Sequence, residues 1–100
     1  MSPKVPDLDL RTTRIVERVR AIPAGFVRTY GDIEPKAPRL VGHILATTTE
    51  RLPWHRVVRA DGSMAVGTRQ RKLLRQEGVP MRGNRVDLRI ARLPSGLKIP

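Results

Sequence analysis

One hundred residues suffice for one modest hydrophobic core and not for a second, so the chain is expected to form a single domain. Lysine and arginine total 20 against 9 acidic residues, a formal charge of +11, and that excess favours a polyanionic partner, either nucleic acid or an anionic membrane surface. Cysteine is absent, which excludes disulfides, cysteine-based zinc sites and every thiol nucleophile.

No apolar run approaches the length of a membrane span, and Met1 to Leu10 lacks the apolar core of a signal peptide. The expectation is therefore a protein that is not secreted, located in the cytoplasm with the nucleoid or in a nucleus according to its source. No metal or cofactor is expected. Arginine outnumbers lysine 16 to 4. The planar guanidinium fork suits phosphate and base contacts, while a codon bias would give the same excess without function; the sequence leaves both readings open.

Residues 1–10, with two prolines and two aspartates, read as a lead-in, residues 11–93 as the domain, and residues 94–100 as a mobile tail. A first helix is predicted from Thr12 or Thr13, since Ile15, Val16, Val19 and Ile22 fall on one face; Pro23-Ala24-Gly25 stops it. Phe26 to Tyr30 reads as a short extended or turning segment, and Gly31-Asp32-Ile33-Glu34 as one helical turn before Pro35 and Pro38 interrupt the chain. From Arg39 to Ala46 the pattern is helical. Leu40 and Ile44, and Val41 and Leu45, pair at i and i+4, and Pro38 suits the first turn. This leaves Arg39, Gly42, His43 and Ala46 on the opposite face, where small residues would let a helix lie close against a sugar-phosphate backbone.

Leu52-Pro53-Trp54-His55-Arg56-Val57-Val58 places the single tryptophan beside one of two histidines, between a proline and a β-branched pair. The ring is held either at the mouth of a pocket or as core filler. Val57-Val58-Arg59 should be a strand, Ala60-Asp61-Gly62-Ser63 its turn and Met64-Ala65-Val66 the return strand of a hairpin, since Asp-Gly favours such turns. Thr68 is the expected N-cap of a helix from Arg69 to Glu77 buried by Leu73 and Leu74, with Gly78 as its stop. Val86, Leu88, Ile90 and Leu93 alternate in part and predict a strand or extended cover.

Four of these segments, in order, resemble the signatures of one family. Pro53-Trp54-His55-Arg56-Val57 is similar to the active-site motif of the O6-alkylguanine-DNA alkyltransferases, with tryptophan in place of the reactive cysteine, the mark of the alkyltransferase-like proteins. Tyr30-Gly31-Asp32-Ile33, Pro38-Arg39-Leu40-Val41-Gly42 and Leu73-Leu74-Arg75-Gln76-Glu77-Gly78-Val79 extend the resemblance over Ile15 to Val79. It implies a mainly α fold with a small β-hairpin, a winged helix-turn-helix-like domain similar to the C-terminal domain of the alkyltransferases. The chain departs from the family pattern in the short connection between Tyr30 and Arg39, in Thr47-Thr48-Thr49-Glu50 where many transferases carry Asn-Pro, and in a shorter loop from Gly62 to Thr68 that implies a more open pocket.

The resemblance also assigns roles. Trp54, Tyr30, Arg56, Val57 and Arg69 are expected at a lesion pocket, with Arg56 and Val57 supporting its floor and Arg71 beside Arg69 near the lid. Arg39, Gly42, His43 and Tyr30 are expected to contact DNA through a helix in the minor groove. There Arg39 would fill the gap left by an extruded nucleotide, and Tyr30 would crowd the 3′ phosphate. Pro53, His55 and Glu77 are expected to support the pocket, since the histidine and glutamate that activate the enzymes' thiol have none to serve here. The duller readings stay open: Tyr30 as core, Arg39 as a phosphate contact, His55 as a brace for the strand.

The implied function is a non-enzymatic sensor. It would bind O6-alkylguanine in double-stranded DNA by base flipping, act as a monomer away from membranes, and flag the lesion for nucleotide excision repair proteins. The alternative is a general basic DNA-binding or architectural protein without lesion selectivity. An enzymatic reading would be alkyl transfer, which lacks its cysteine, or a glycosylase-like step, which has no assigned catalytic base.

Overall fold

The computed structural model describes residues 6–94. Helix α1 (Pro6–Arg20) is followed by strand β1 (Arg28–Thr29), the single turn α2 (Tyr30–Ile33), helix α3 (Pro38–Thr47) and a 3-10 turn (Trp54–Arg56). Strand β2 (Val57–Val58), helix α4 (Thr68–Gln76), strands β3 (Met81–Arg82) and β4 (Arg85–Val86) and the short helix α5 (Leu88–Ala91) complete it. The mainly helical architecture with two small sheets agrees with the expected fold class. The expected tail at 94–100 lies, beyond Pro94, outside the described residues.

Two apolar clusters meet along one seam. Ile15, Val16, Val19 and Ile22 pack with Ile33 of α2, Val41 and Ile44 of α3, Leu52 and Val57. Val27, Val58, Met64, Leu74, Val79, Val86 and Ala91 form the second cluster. Successive strand residues point to opposite faces, so the adjacent valines of β2 supply one side chain to each cluster. Both are fully buried. The 3-10 turn runs directly into this strand, which anchors the tryptophan motif at the centre of the molecule.

The ends of the helices explain the spacing of the site. Thr29 caps α2 in a capping box, accepting from the Asp32 amide at 3.0 Å while the Asp32 carboxylate accepts from the Thr29 amide at 3.0 Å. One helical turn is thereby stable without a longer helix, and the short connection to Arg39 is accommodated. Pro38 opens α3. At the end of α4, Gly78 has φ +78°, its amide donates to Arg75 O at 3.0 Å, and the Val79 amide donates to Leu74 O at 3.0 Å. This pair of bonds is a Schellman stop, and it presents Glu77 at the helix end.

Four expectations are corrected. Helix α1 begins at Pro6 rather than Thr12 or Thr13, so residues 6–10 of the expected lead-in are helical; proline suits a first helical turn. The valine pair is a strand, but it pairs in parallel with β1, Arg28 opposite Val57 and Thr29 opposite Val58. No return strand forms at Met64 to Val66. The turn after β2 exists, with the Gly62 amide donating to Arg59 O at 2.8 Å, but Gly62 O accepts from the Val86 amide at 3.0 Å and so belongs to the β4 side. That contact leaves no room for a side chain, since a Cβ on Gly62 would lie 2.5 Å from Val86 O. The hairpin of the fold is instead β3–β4, with Met81 opposite Val86.

The N-cap of α4 is Gly67 at φ +63°, and Thr68 is the first helical residue. Finally, Leu88 to Ala91 is helical because Asp87 caps it, accepting from the Arg89 amide at 3.1 Å. Only the following residues give the expected extended cover, through a parallel bridge between Val27 and Arg92.

Candidate nucleic-acid interface and base pocket

The tryptophan turn is fixed from both sides. Pro53, with φ −76°, precedes it and accepts at its carbonyl from the Arg56 amide at 3.0 Å. Behind the turn, Glu77 gathers the side chains of Arg56 and His55. Arg56 donates Nε to Oε1 at 3.0 Å and Nη2 to Oε2 at 2.6 Å, and His55 Nε2 lies 2.9 Å from Oε2. The remaining arm of Arg56 donates Nη1 to Ile22 O at 2.7 Å. One guanidinium thus ties the turn to the segment that follows α1 and to the stop of α4, in the forked geometry that arginine alone supplies.

The Arg56 fork pulls the Glu77 carboxyl down from 4.5 to about 2; burial opposes this, and His55 adds to it. A carboxyl with a folded-state pKa below its unfolded value stabilises the fold above the unfolded value, and that contribution is lost as pH falls through the folded one. The stability of the protein should therefore decline as pH drops from 4.5 towards about 2. Glu77→Gln should be less stable at neutral pH, lose less across that window, and converge on the parent at its acid end. Urea midpoints at pH 6 and pH 2.5 measure this; parallel losses in the two proteins would contradict it.

In front of the turn lies a cavity of about 360 Å³. Tyr30 comes from α2 and Gly42, Leu45 and Ala46 from α3; Trp54 forms a wall; Ala65 and Val66 lie on the segment before α4, and Arg69 and Gln70 on its first turn. Arg69 Cζ stands 5.3 Å from the centroid of the Trp54 ring, a cation–π contact, and His55 meets the same ring edge-on at 5.9 Å and 84°. The indole is therefore oriented on two sides and open to the cavity on another. A Cβ on Gly42 would stand 3.8 Å from Tyr30 Cε1, an ordinary van der Waals contact. Burial pushes the Tyr30 hydroxyl pKa up, with Arg59 opposing, so the phenol is neutral near pH 7 and able to donate a hydrogen bond.

The structure thus brings Trp54, Tyr30, Arg69 and Gly42 together at one cavity. Arg39 and His43 lie exposed on α3 outside its lining, and among the described residues no hydrogen bond or ion pair holds Arg39. Arg56 and Val57, expected to support the pocket floor, are not among the residues that line the cavity. Val57 is fully buried in the first core cluster, and Arg56 is committed behind the turn to Glu77 and Ile22. Pro53, His55 and Glu77 stand in the network behind the wall. Arg71 also leaves the cavity, with Nη1 3.4 Å from Asn84 Oδ1.

Sequence reasoning missed Leu45, Ala65, Val66 and Gln70, and it placed Ala46 on the DNA-facing side of α3 rather than at the cavity. For Gln70 a signal existed, since residues 70, 74 and 77 share the inner face of α4. Among the described residues no group of three His, Cys, Asp or Glu side chains is placed to hold a metal ion, and no helix is long and apolar enough to cross a membrane.

The comparisons with known proteins agree with this fold. The family model described as 6-O-methylguanine DNA methyltransferase, DNA binding domain, matches residues 11–79. A DNA base-flipping protein of Escherichia coli K12 is 41% identical over 87 residues, covering 75% of this chain and 67% of that protein. A methylated-DNA–protein-cysteine methyltransferase of Methanopyrus kandleri is 53% identical over 55 residues, covering 48% of this chain and 40% of that one. Among solved structures, S. pombe Atl1 in complex with damaged DNA containing O6-carboxymethylguanine superimposes with a TM-score of 0.73 at 26% identity, covering 86% of this chain and 96% of that one. With tryptophan in the cysteine position of the motif, the chain belongs to the family of the 6-O-methylguanine DNA methyltransferase DNA-binding domain, as an alkyltransferase-like protein.

Proposed function

We propose that this protein binds duplex DNA, extrudes an O6-alkylated guanine into the cavity between α3, the tryptophan turn and α4, and holds it there without chemistry. One observation carries the reading: the cavity is walled by an oriented indole at the position that holds the family's thiol. Extruding a base costs a few kcal/mol, and less when its pairing is already damaged. An O6-alkyl group removes the N1 proton of guanine and adds bulk to the pairing edge, so the lesion leaves the stack more readily. The apolar surfaces of Trp54, Leu45, Ala65 and Val66 then favour the added carbon atoms. Similarity to a protein named for base flipping and to one bound to O6-carboxymethylguanine DNA supports the same reading.

Alkyl transfer needs a nucleophile activated beside the alkyl carbon, and an indole is a poor one. His55 and Glu77 remain as the brace of the turn. Arg39 is assigned to the gap in the base stack, Tyr30 to the phosphate beside the extruded nucleotide, and the outer face of α3, with His43, to the minor groove. We further assign the protein to the compartment that holds DNA, as a monomer that marks the lesion for nucleotide excision repair. Incubation with a duplex carrying a radiolabelled O6-methyl group should leave the label in DNA. Stoichiometric labelling of the protein would contradict a binding-only role.

A further inference from the structure

Gln70 carries a role beyond lining the cavity. Gln70 is 1% exposed, the one buried polar residue of α4, and each polar atom of its amide is used. Nε2 donates to His55 O at 3.0 Å and to Val57 O at 2.7 Å, and Oε1 accepts from the Val66 amide at 3.2 Å. Two carbonyls on one side and an N–H on the other fix the orientation of the amide without ambiguity. One side chain therefore joins three walls of the cavity: the tryptophan turn, the first turn of α4 and the segment Ala65–Val66.

That segment has little else to hold it. Met64 before it is buried, Gly67 after it turns back to Met64 O at 3.3 Å, and Val66 itself is 50% exposed at the cavity rim. A half-exposed valine has a defined distance from the Trp54 ring only if its backbone is tied down. We infer that Gln70 is a specificity-determining positioning residue: its amide sets the gap between Val66 and Trp54, and so the size of the alkyl group that both surfaces touch at once. The inference rests on the proposed lesion-binding reading. A methyl group is small and needs both walls close, whereas a benzyl group fills a wider gap, so loosening the tether penalises the smaller adduct more.

Gln70→Met keeps the length of the side chain and removes all three hydrogen bonds. Amide exchange of Val66 should accelerate by about tenfold, the scale of one lost hydrogen bond, with smaller changes across α1. Acrylamide quenching of Trp54 in the free protein should rise. Affinity for an O6-methylguanine duplex should fall about threefold to tenfold more than affinity for an O6-benzylguanine duplex. Val19→Ala, in the core cluster around α1, controls for lost stability and should leave the methyl-to-benzyl ratio unchanged.

If Gln70→Met does not fold, Gln70→Glu keeps an acceptor for Val66 and loses the donor to both carbonyls. It should retain Val66 protection and still raise quenching. Uniform acceleration of exchange, or an unchanged methyl-to-benzyl ratio, overturns the inference. If the parent protein binds both adducts no better than guanine, the lesion-binding reading fails, while exchange and quenching still decide whether Gln70 ties the segment.

Discussion

Trp54→Ala should cost roughly tenfold or more in affinity for an O6-methylguanine duplex and leave affinity for the matched guanine duplex almost unchanged. Stacking of a base on an aromatic side chain is worth about 1–3 kcal/mol, and about 1.4 kcal/mol is a decade in affinity. The substitution also removes the ring under Arg69, leaving that guanidinium without its cation–π partner at the cavity rim. The brace behind the turn does not depend on the indole, since Arg56, His55 and Glu77 hold one another and Ile22 O. The variant is therefore expected to fold, as circular dichroism would show. Fluorescence anisotropy of labelled duplexes gives both affinities, and an equal loss for the two would make Trp54 a scaffold residue.

Binding should also weaken steeply with salt. With a formal charge of +11 and about five phosphates contacted, log K should fall against log salt with a slope of roughly −4 to −5, two to three decades between about 50 and 200 mM. Within that response, Arg39→Ala should weaken binding to lesion DNA by more than the removal of one phosphate contact, because the exposed side chain at the start of α3 is assigned to the stack rather than to a phosphate. Arg14→Ala on α1 removes the same charge and provides the reference. Arg18 does not serve for this comparison: it donates to Ile33 O at 2.7 Å and so braces α2 as well as carrying charge. Equal losses for Arg39→Ala and Arg14→Ala would remove the intercalating role.

Local pattern announced α1, α3, α4 and the motif, while α5 and partnership across the chain did not show. The inward residues of α1 and α3 declare themselves by period, and Ile15, Val19, Val41 and Ile44 are buried accordingly. Val57-Val58 declares a strand equally well, yet its partner is a two-residue strand far earlier in the chain, too short to leave a period. The Asp61-Gly62 turn was legible, but the destination of Gly62 O was not, and that single bond to Val86 converts an expected hairpin into a contact between distant segments. The motif places Arg56 as a support of the pocket floor; only the fold shows its fork closed on Glu77. Gln70 shares a helical face with Leu74, which marks it as inward, but that pattern does not reveal the carbonyls of His55 and Val57 that its amide meets. The tryptophan was legible because it is the single residue of its kind in a recognisable motif.

The central claim is that the cavity in front of Trp54 discriminates O6-alkylguanine from guanine. Titration of two matched duplexes that differ only in one O6-methyl group, at one ionic strength and with Trp54 emission followed throughout, tests it most directly. The lesion duplex should bind roughly tenfold or more tightly and change the emission more than saturating guanine duplex does. Equal affinities with the same emission change would contradict the account and leave a basic protein that binds DNA without regard to damage.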